Sequence, residues 1–332
     1  MQYVIYPLAR LLIALLQALP LSVVAGLGRL GGGLAFGLDA RHRRVALKNL
    51  TMCFGAEKTV AEIRALALEN FRRIGESFAC GVKTASMGEA QIRRVLELAG
   101  SEKLVDREKS NSRNRVIAIG HFGNFEVYMS ASHFVPGFRF ATTYRALRQP
   151  LLDGLVKRLR EQSGGLAFER RTDASALREA MNREPLMIGF LADQHAGDKG
   201  RRLPFFGHDC STSAAPALFA LRYDCPLHTA ICYRVGVGRW RIEVGDAIPT
   251  HERGRPRTVE AISIDINQAF ETAIRRDPAN WFWVHNRWKP AKPNARKPRP
   301  RAQSGLPQPS STAVESPDTS REGDEAEVEA GG

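Results

Sequence analysis

The stretch VIAIGHFGNFEVY (residues 116–128) carries the strongest fold signal in the chain. Its first five residues are an apolar run, which is typical of a strand buried on both faces of a parallel sheet. His121 follows at once, in the turn after this strand. Because open parallel sheets place their active sites just beyond the carboxyl ends of strands, His121 is a candidate functional residue.

Further apolar runs alternate with helical patterns along the chain. Strands are predicted at residues 139–144, 165–168, 186–193, 227–234 and 239–244, and helices at residues 58–85, 88–99, 151–162, 174–182 and 259–275. This alternation predicts an α/β fold, a sandwich with a mostly parallel sheet flanked by helices. We expect it to form one domain over residues 41–290.

The residues after His121 suggest a general base. Gly123 permits a tight turn, and Asn124 is a suitable cap for the helix that follows. Glu126 would lie in the first turn of that helix, where its carboxylate could reach the imidazole. A carboxylate on one ring nitrogen leaves the other free to take a proton from a hydroxyl or water. A structural histidine beside a solvated glutamate fits the same spacing, and both interpretations stay open.

Other polar side chains are predicted near the same edge of the sheet. Asp193 and Gln194 end a predicted strand, while Arg145 and Arg170 follow two others. The sequence contains no G-x-S-x-G motif, which argues against a hydrolase that forms an acyl-enzyme.

The segment after Asp193 raises two further possibilities. His195, Asp198, His208 and Asp209 match no metal motif, and we expect no metal site. The basic loop with Lys199, Arg201 and Arg202 could bind phosphate or could be an exposed turn.

The amino-terminal segment, residues 1–40, is apolar and rich in glycine, with Arg10, Pro20 and Arg29 as interruptions. About 20 apolar residues are needed to span a bilayer, so the segment favours a bent or re-entrant pair of helices over a straight span. The basic run RHRRVALK (residues 41–48) follows and would attract anionic lipid on the cytoplasmic side. We predict membrane attachment; a buried core helix is the alternative.

The last segment, residues 291–332, is dominated by proline, serine, glycine and charged residues. It has no apolar periodicity with which to build a core, so we predict a disordered tail.

The composition adds a charge constraint. The 332 residues include 48 Lys and Arg against 35 Asp and Glu, a net charge of +13, which suits a polyanionic partner such as an anionic membrane surface or an acidic protein. The five cysteines show no C-x-x-C spacing and suggest reduced thiols. WFWVHNRWKP (residues 281–290) places tryptophans beside cations, but no nucleic-acid-binding motif accompanies it, and we expect no nucleic acid partner.

Several blocks of the chain, taken in order, resemble the bacterial late acyltransferases of lipid A biosynthesis. This lauroyl/myristoyl acyltransferase family falls in the lysophospholipid acyltransferase-like superfamily. HFGNFE (residues 121–126) is similar to its H-x4-D/E signature, which is a weak pattern alone. The ordered set, which spans about residues 19–290, is stronger and includes RVALKNL (44–50), FRRIGES (71–77), TYR (143–145), ER (169–170), ADQ (192–194), PFFG (204–207) and WVHNRWK (283–289).

The resemblance implies a glycerol-phosphate-acyltransferase-like sandwich and an O-acyltransferase on the cytoplasmic face of the inner membrane. The donor would be a thioester of acyl carrier protein or CoA, the acceptor a phosphorylated glycolipid, and no cofactor would be needed. His121 would deprotonate the acceptor hydroxyl, and Glu126 would orient the imidazole. Substrate-binding roles would fall to Arg145 and Arg170, facing phosphates or the developing oxyanion, and to Asn124, Asp193 and Gln194.

Alternatives remain at this point. HFGNFE is closer to branches such as the phosphatidylinositol mannoside acyltransferases, so the acceptor is open between a lipid A precursor and a related glycolipid. A membrane lipid hydrolase could use the same pair of residues on water and would release free fatty acid without an acceptor. A non-enzymatic lipid binder would keep its function without His121.

Overall fold

The computed structural model describes residues 2–105, 113–198 and 200–290. The disordered tail predicted at residues 291–332 and the basic-loop residue Lys199 lie outside these ranges. The domain boundaries predicted at residues 40 and 290 also stay predictions.

Strands form the centre of the described residues. They are β1 (Leu96–Ala99), β2 (Arg115–Ile119), β3 (Arg139–Tyr144), β4 (Leu166–Glu169), β5 (Leu186–Leu191), β6 (Arg201–Phe205), β7 (His208–Thr212), β8 (Leu227–Gly236), β9 (Arg239–Ile248), β10 (His251–Glu252) and β11 (Arg255–Pro256). Within the described ranges, seven of them make one sheet in the order β1-β9-β8-β2-β5-β3-β4, and the others form the hairpins β6–β7 and β10–β11. Neighbours in the large sheet run parallel except β8 and β9.

Burial on both faces explains why the central strands read as apolar runs. All five residues of β2 are buried, and so are five of the six residues of β5 beside it. A strand covered on both faces has no solvent side on which polar residues would alternate. The prediction of a mixed α/β fold with a mostly parallel sheet flanked by helices is therefore confirmed.

Helices precede, connect and cover the strands. They are α1 (Gln2–Ala18), α2 (Leu21–Leu38), α3 (Ala40–Phe54), α4 (Val60–Thr84), α5 (Glu89–Ile92), α6 (Glu102–Val105), α7 (Pro150–Gln162), α8 (Ala174–Arg183), α9 (Ala215–Arg222) and α10 (Val259–Arg276), with 3₁₀ helices at Phe125–His133 and Pro278–Asn280. Helix α4 begins where Thr59 and Glu62 form a reciprocal capping box.

One element prediction was wrong. Residues 88–99 were expected to be a single helix, but α5 ends at Ile92 and the segment continues as the edge strand β1. Strand β1 pairs in parallel with β9. Pairing with a strand far along the chain outweighs the local helical propensity, which sequence periodicity alone does not show.

Helices α2 and α4 approach so closely that their backbones touch. A Cβ atom added at Gly32 would lie 2.1 Å from the carbonyl oxygen of Phe71, and one at Gly75 would lie 2.1 Å from that of Gly28. Glycine at these positions leaves room for the neighbouring backbone. The amino-terminal apolar segment is thus two helices, and the second is docked along α4.

A buried carboxylate secures this contact. Glu76 of α4 is 1 % exposed and accepts hydrogen bonds from Arg29 of α2 (3.3 Å), from Nε of Arg234 (2.9 Å) and from the backbone N–H of Gly238 (2.9 Å). Because a buried charge needs partners, these bonds fix α2, α4 and the β8–β9 turn relative to one another.

The opposite faces of α1 and α2 remain exposed and apolar. Among the described residues, α2 is the one helix long and apolar enough to cross a membrane, with a mean hydropathy of 1.4 over 18 residues, of which 22% are buried. The exposed large side chains are Leu8, Leu11, Leu12 and Leu15 on α1 and Val23, Leu27, Leu30, Leu34 and Leu38 on α2.

The glycine contact predicts a difference between two neighbouring substitutions. Gly32→Ala should destabilise the protein by about 1–3 kcal/mol, because the new methyl group meets the backbone of α4. Gly31→Ala should be neutral or stabilising by up to about 1 kcal/mol, because nothing lies within 4 Å of its Cβ position and alanine favours helix. Thermal unfolding of both variants in one detergent checks this, and equal midpoints would contradict the packing.

Candidate active site

His121 lies at the carboxyl edge of the sheet, two residues after β2 ends. It lines a cavity of about 860 Å³ together with Glu126, Arg145, Arg170 and Gln194. Five of the seven singled-out residues therefore share one cavity, and the remaining two, Asn124 and Asp193, do not line it. The apolar residues that line the cavity include Met129, Phe140, Phe168, Leu177 and Phe190.

A buried carboxylate orients the imidazole. Nδ1 of His121 lies 2.9 Å from Oδ1 of Asp193, and the backbone N–H of His121 donates to Oδ2 at 2.9 Å. The indole N–H of Trp281 donates to the same Oδ2 at 2.8 Å. Burial by itself would raise the pKa of Asp193, but attraction and hydrogen bonds from His121, together with Trp281, lower it to about 2.

These contacts determine the tautomer of the neutral imidazole. An ionised carboxylate only accepts hydrogen bonds, so the proton sits on Nδ1 of His121 and Nε2 carries the free lone pair. A free Nε2 at the edge of a cavity is what a general base needs. Asp193, predicted as a substrate-binding residue, lies behind the histidine, with a fully buried side chain.

Glu126 takes a different partner from the expected one. Its carboxylate forms a bidentate pair with Arg160 of α7, with 2.9 Å from Nε to Oε2 and 2.7 Å from Nη2 to Oε1. The predicted contact between Glu126 and the imidazole is replaced by the contact with Asp193. The ring of Phe125 lies against His121, with the ring centroids 4.8 Å apart, while Glu126 points to α7. A catalytic role for Glu126 stays a prediction.

Asn124 is fully buried, and its side chain makes no cap hydrogen bond at the start of the 3₁₀ helix. Neither side-chain polar atom of Asn124 has a partner among the described residues. Asn124 therefore occupies the predicted N-cap position, but its side chain does not cap the helix. A direct substrate contact by this side chain finds no support in its position, since the residue does not line the cavity.

Cations without carboxylate partners stand at the cavity rim. Arg145 follows β3 and Arg170 follows β4; both are exposed, and neither forms an ion pair within the described ranges. Gln194 also lines the cavity, and its backbone oxygen accepts a hydrogen bond from Arg287 at 3.0 Å. The rim can therefore attract negatively charged groups.

The tryptophan-rich segment is mostly structural. Trp281, Trp283 and Arg287 are at most 1 % exposed. The guanidinium of Arg287 is held by the oxygens of Gln194, Ser211 and Thr212. From the sequence, contact with a membrane interface or a stacked ligand and buried packing were equally open for this segment, and these three residues show buried packing.

Arg160 was missed at the sequence level, and His285 was noted only as part of the tryptophan-rich segment. Both line the cavity, but their partners, Glu126 and the backbone N–H of His195, lie far along the chain, so sequence spacing alone does not place them there. Burial lowers the pKa of His285 to about 4, so it is neutral at pH 7. No cluster of three or more potential metal ligands occurs in the described part of the chain.

Comparisons with known proteins show which family the chain resembles. The sequence model of the bacterial lipid A biosynthesis acyltransferases matches residues 1–290. The chain is 23% identical over 274 residues to the lipid A biosynthesis palmitoleoyltransferase of Escherichia coli K12, an alignment that covers 82% of this chain and 86% of the other. The same values hold for the lipid A biosynthesis acyltransferase of Shigella flexneri.

The family match covers all of the described ranges, and the cavity is lined by His121 and by apolar side chains. The protein belongs to the bacterial lipid A biosynthesis acyltransferase family and is an acyl-transferring enzyme.

Proposed function

We propose that the protein is a membrane-associated O-acyltransferase. It moves a fatty acyl chain from a thioester of acyl carrier protein or CoA to a hydroxyl of a lipid A precursor or related glycolipid. The observation that carries the proposal is the His121–Asp193 pair at the edge of a cavity with an apolar wall. The sheet and its flanking helices support the glycerol-phosphate-acyltransferase-like sandwich expected for this activity.

The reaction needs no covalent enzyme intermediate. Nε2 of His121 takes the proton of the acceptor hydroxyl as the oxygen attacks the thioester carbonyl. The imidazolium that forms is stabilised by the ionised Asp193 at 2.9 Å. When the tetrahedral intermediate collapses, the C–S bond breaks and His121 returns the proton to the departing thiolate. An ester and a free thiol result, and the histidine is neutral again.

Arg160 and Glu126 assist from the cavity wall. Glu126 holds the guanidinium of Arg160 by two hydrogen bonds, and both residues line the cavity. In the proposed mechanism the pair keeps a fixed cation near the reacting groups, where negative charge develops on the carbonyl oxygen. Arg145 and Arg170 at the rim face the phosphates of the acceptor.

Membrane association brings the enzyme to a lipid acceptor. The exposed leucines of α1 and α2 form an apolar surface, and cations at Arg10, Arg41 and Arg44 accompany it. Because α2 is docked along α4 through Gly28, Gly32 and Gly75, we propose that residues 1–40 lie at the surface of the inner membrane, on its cytoplasmic face.

The general-base pair predicts the outcome of two substitutions. His121→Ala should abolish the new acylated glycolipid in cells that contain the acceptor, and Asp193→Asn should lower acyl transfer by roughly 10³-fold, because an amide does not stabilise the imidazolium. His133→Ala, a half-buried histidine that does not line the cavity, serves as the control and should match wild type. Lipid mass spectrometry at matched protein levels reads all three. A new lipid made equally by His121→Ala and wild type would contradict the mechanism.

The ion pair predicts strong coupling between its members. Glu126→Gln and Arg160→Gln should each lower kcat/KM by roughly 10- to 100-fold, and the double variant should be no worse than the poorer single variant. The expected coupling energy is about 1–3 kcal/mol, measured by initial rates of acyl transfer. If Glu126 acted on the imidazole directly, Glu126→Gln would instead lower acyl transfer as strongly as Asp193→Asn. The losses of kcat/KM in Glu126→Gln and Arg160→Gln would then be additive.

The apolar surface predicts weaker membrane binding when it is made polar. Leu30→Gln combined with Leu34→Gln should weaken binding to phosphatidylglycerol vesicles by roughly 100-fold or more, since each leucine contributes about 2 kcal/mol on burial. Flotation assays measure this. Val60→Gln combined with Leu218→Gln removes two exposed apolar side chains from α4 and α9 and should not change binding. Equal losses in the two double variants would contradict the proposed surface.

A further inference from the structure

A second cavity of about 470 Å³ adjoins the candidate active site. One wall is the first turns of α3, with Arg41 and His42, and the other is the segment after Trp283, which ends in Lys289. His195 and His285 line both this cavity and the larger one that contains His121. The two cavities are therefore neighbours across a pair of histidines.

The side chains of this cavity carry excess positive charge. Arg41 and Lys289 are exposed and form no ion pair with any residue that the structure describes. The nearest carboxylate on the same element, Asp39, is engaged by His42: its oxygens accept from the His42 backbone N–H at 3.0 Å and approach Nδ1 at 2.6 Å. Among the described residues, no carboxylate lines the cavity itself. An anion that entered would meet two uncompensated cations.

The walls are held in place without any ligand. Asn49 of α3 is 1 % exposed and donates from Nδ2 to the carbonyl oxygens of Trp283 (2.9 Å) and His285 (2.8 Å). The buried Arg287 ties the same segment to Gln194 at the sheet edge, at 3.0 Å. A site whose groups are already positioned loses little conformational entropy when a ligand binds.

The shared wall offers hydrogen bonding without adding fixed charge. Nε2 of His285 accepts from the backbone N–H of His195 at 2.9 Å, so the proton of the neutral ring is on Nδ1. The buried Nδ1 of His195 has no partner among the described residues. Two neutral imidazoles thus separate the cationic cavity from the histidine that accepts the proton.

We propose that this cavity is a phosphate-binding subsite, in which Arg41 and Lys289 hold a phosphate ester of a substrate whose reacting group lies at His121. The inference rests on the proposed acyl transfer and identifies a second point of substrate recognition, separate from Arg145 and Arg170. Both a glycolipid acceptor and the phosphopantetheine arm of a thioester donor carry a phosphate ester. The acceptor is the favoured source, because Arg41 follows directly on the exposed apolar helix α2, which ends at Leu38 with 85% of that residue exposed.

Binding of soluble probes tests the subsite without acyl transfer. Full-length protein in detergent is titrated with glucosamine 1-phosphate and glucosamine, and separately with 4′-phosphopantetheine and pantetheine, by isothermal titration calorimetry or NMR. The phosphorylated member of a pair should bind wild type at least about tenfold more tightly, and Arg41→Gln combined with Lys289→Gln should remove that preference. Arg94→Gln combined with Arg222→Gln removes the same charge away from this cavity and should keep it.

The outcomes separate the two sources and the two proposals. A preference for the sugar phosphate that is lost in the double variant assigns the subsite to the acceptor, and the same result with phosphopantetheine assigns it to the donor. Equal binding of phosphorylated and unphosphorylated probes, or an unchanged preference in Arg41→Gln/Lys289→Gln, would overturn the subsite. Acyl transfer by wild type is measured separately, so phosphate binding without transfer would contradict the proposed function alone.

Discussion

The hydrogen bond between His121 and the buried Asp193 is the interaction on which the rest of the site depends. A carboxylate out of contact with water is costly unless every lone pair in reach is used. Here the donors come from the imidazole and backbone of His121 and from the indole of Trp281. His121, Asp193 and Trp281 follow β2, β5 and α10, so the buried charge is tolerated only when the sheet edge and the terminal segment are assembled together. Catalytic geometry and folding are therefore coupled at one residue.

That coupling extends through buried amides to the amino-terminal helices. Asn70 of α4 donates to the carbonyl oxygens of Ala279 and Trp281, and Asn49 of α3 donates to those of Trp283 and His285. The segment that carries Trp281 has little regular structure, so it cannot satisfy these oxygens itself. Helices α3 and α4 thus position the indole that binds Asp193, while α4 also carries α2 and its exposed leucines. The apolar surface and the base are connected through one rigid helix.

Local patterns predicted the sheet but not the partners of the charged side chains. Strands were predicted at residues 116–120 and 186–193, because burial on both faces leaves a continuous apolar run. His121 and Asp193 were both placed at the sheet edge, yet their pairing joins residues 72 positions apart and depends on β2 and β5 being neighbours. Glu126 was predicted to contact the imidazole because it is near His121 in sequence, whereas its observed partner, Arg160, lies on α7. Edge strand β1 was missed for the same reason: its partner β9 is distant.

The distribution of charge explains why the base needs a buried carboxylate. In the described structure, Arg145 and Arg170 of the larger cavity have no carboxylate partner. The same holds for Arg41 and Lys289 of the adjoining cavity, whereas Arg160 forms an ion pair with Glu126. These cations favour the arrival of anionic substrates, but they also oppose the formation of an imidazolium within the same cavity. The ionised Asp193, in contact with Nδ1 of His121, stabilises the imidazolium and so counteracts the repulsion from these cations. A site that attracts phosphates can then still accept a proton at His121, because the negative charge of Asp193 is buried and does not repel the substrate.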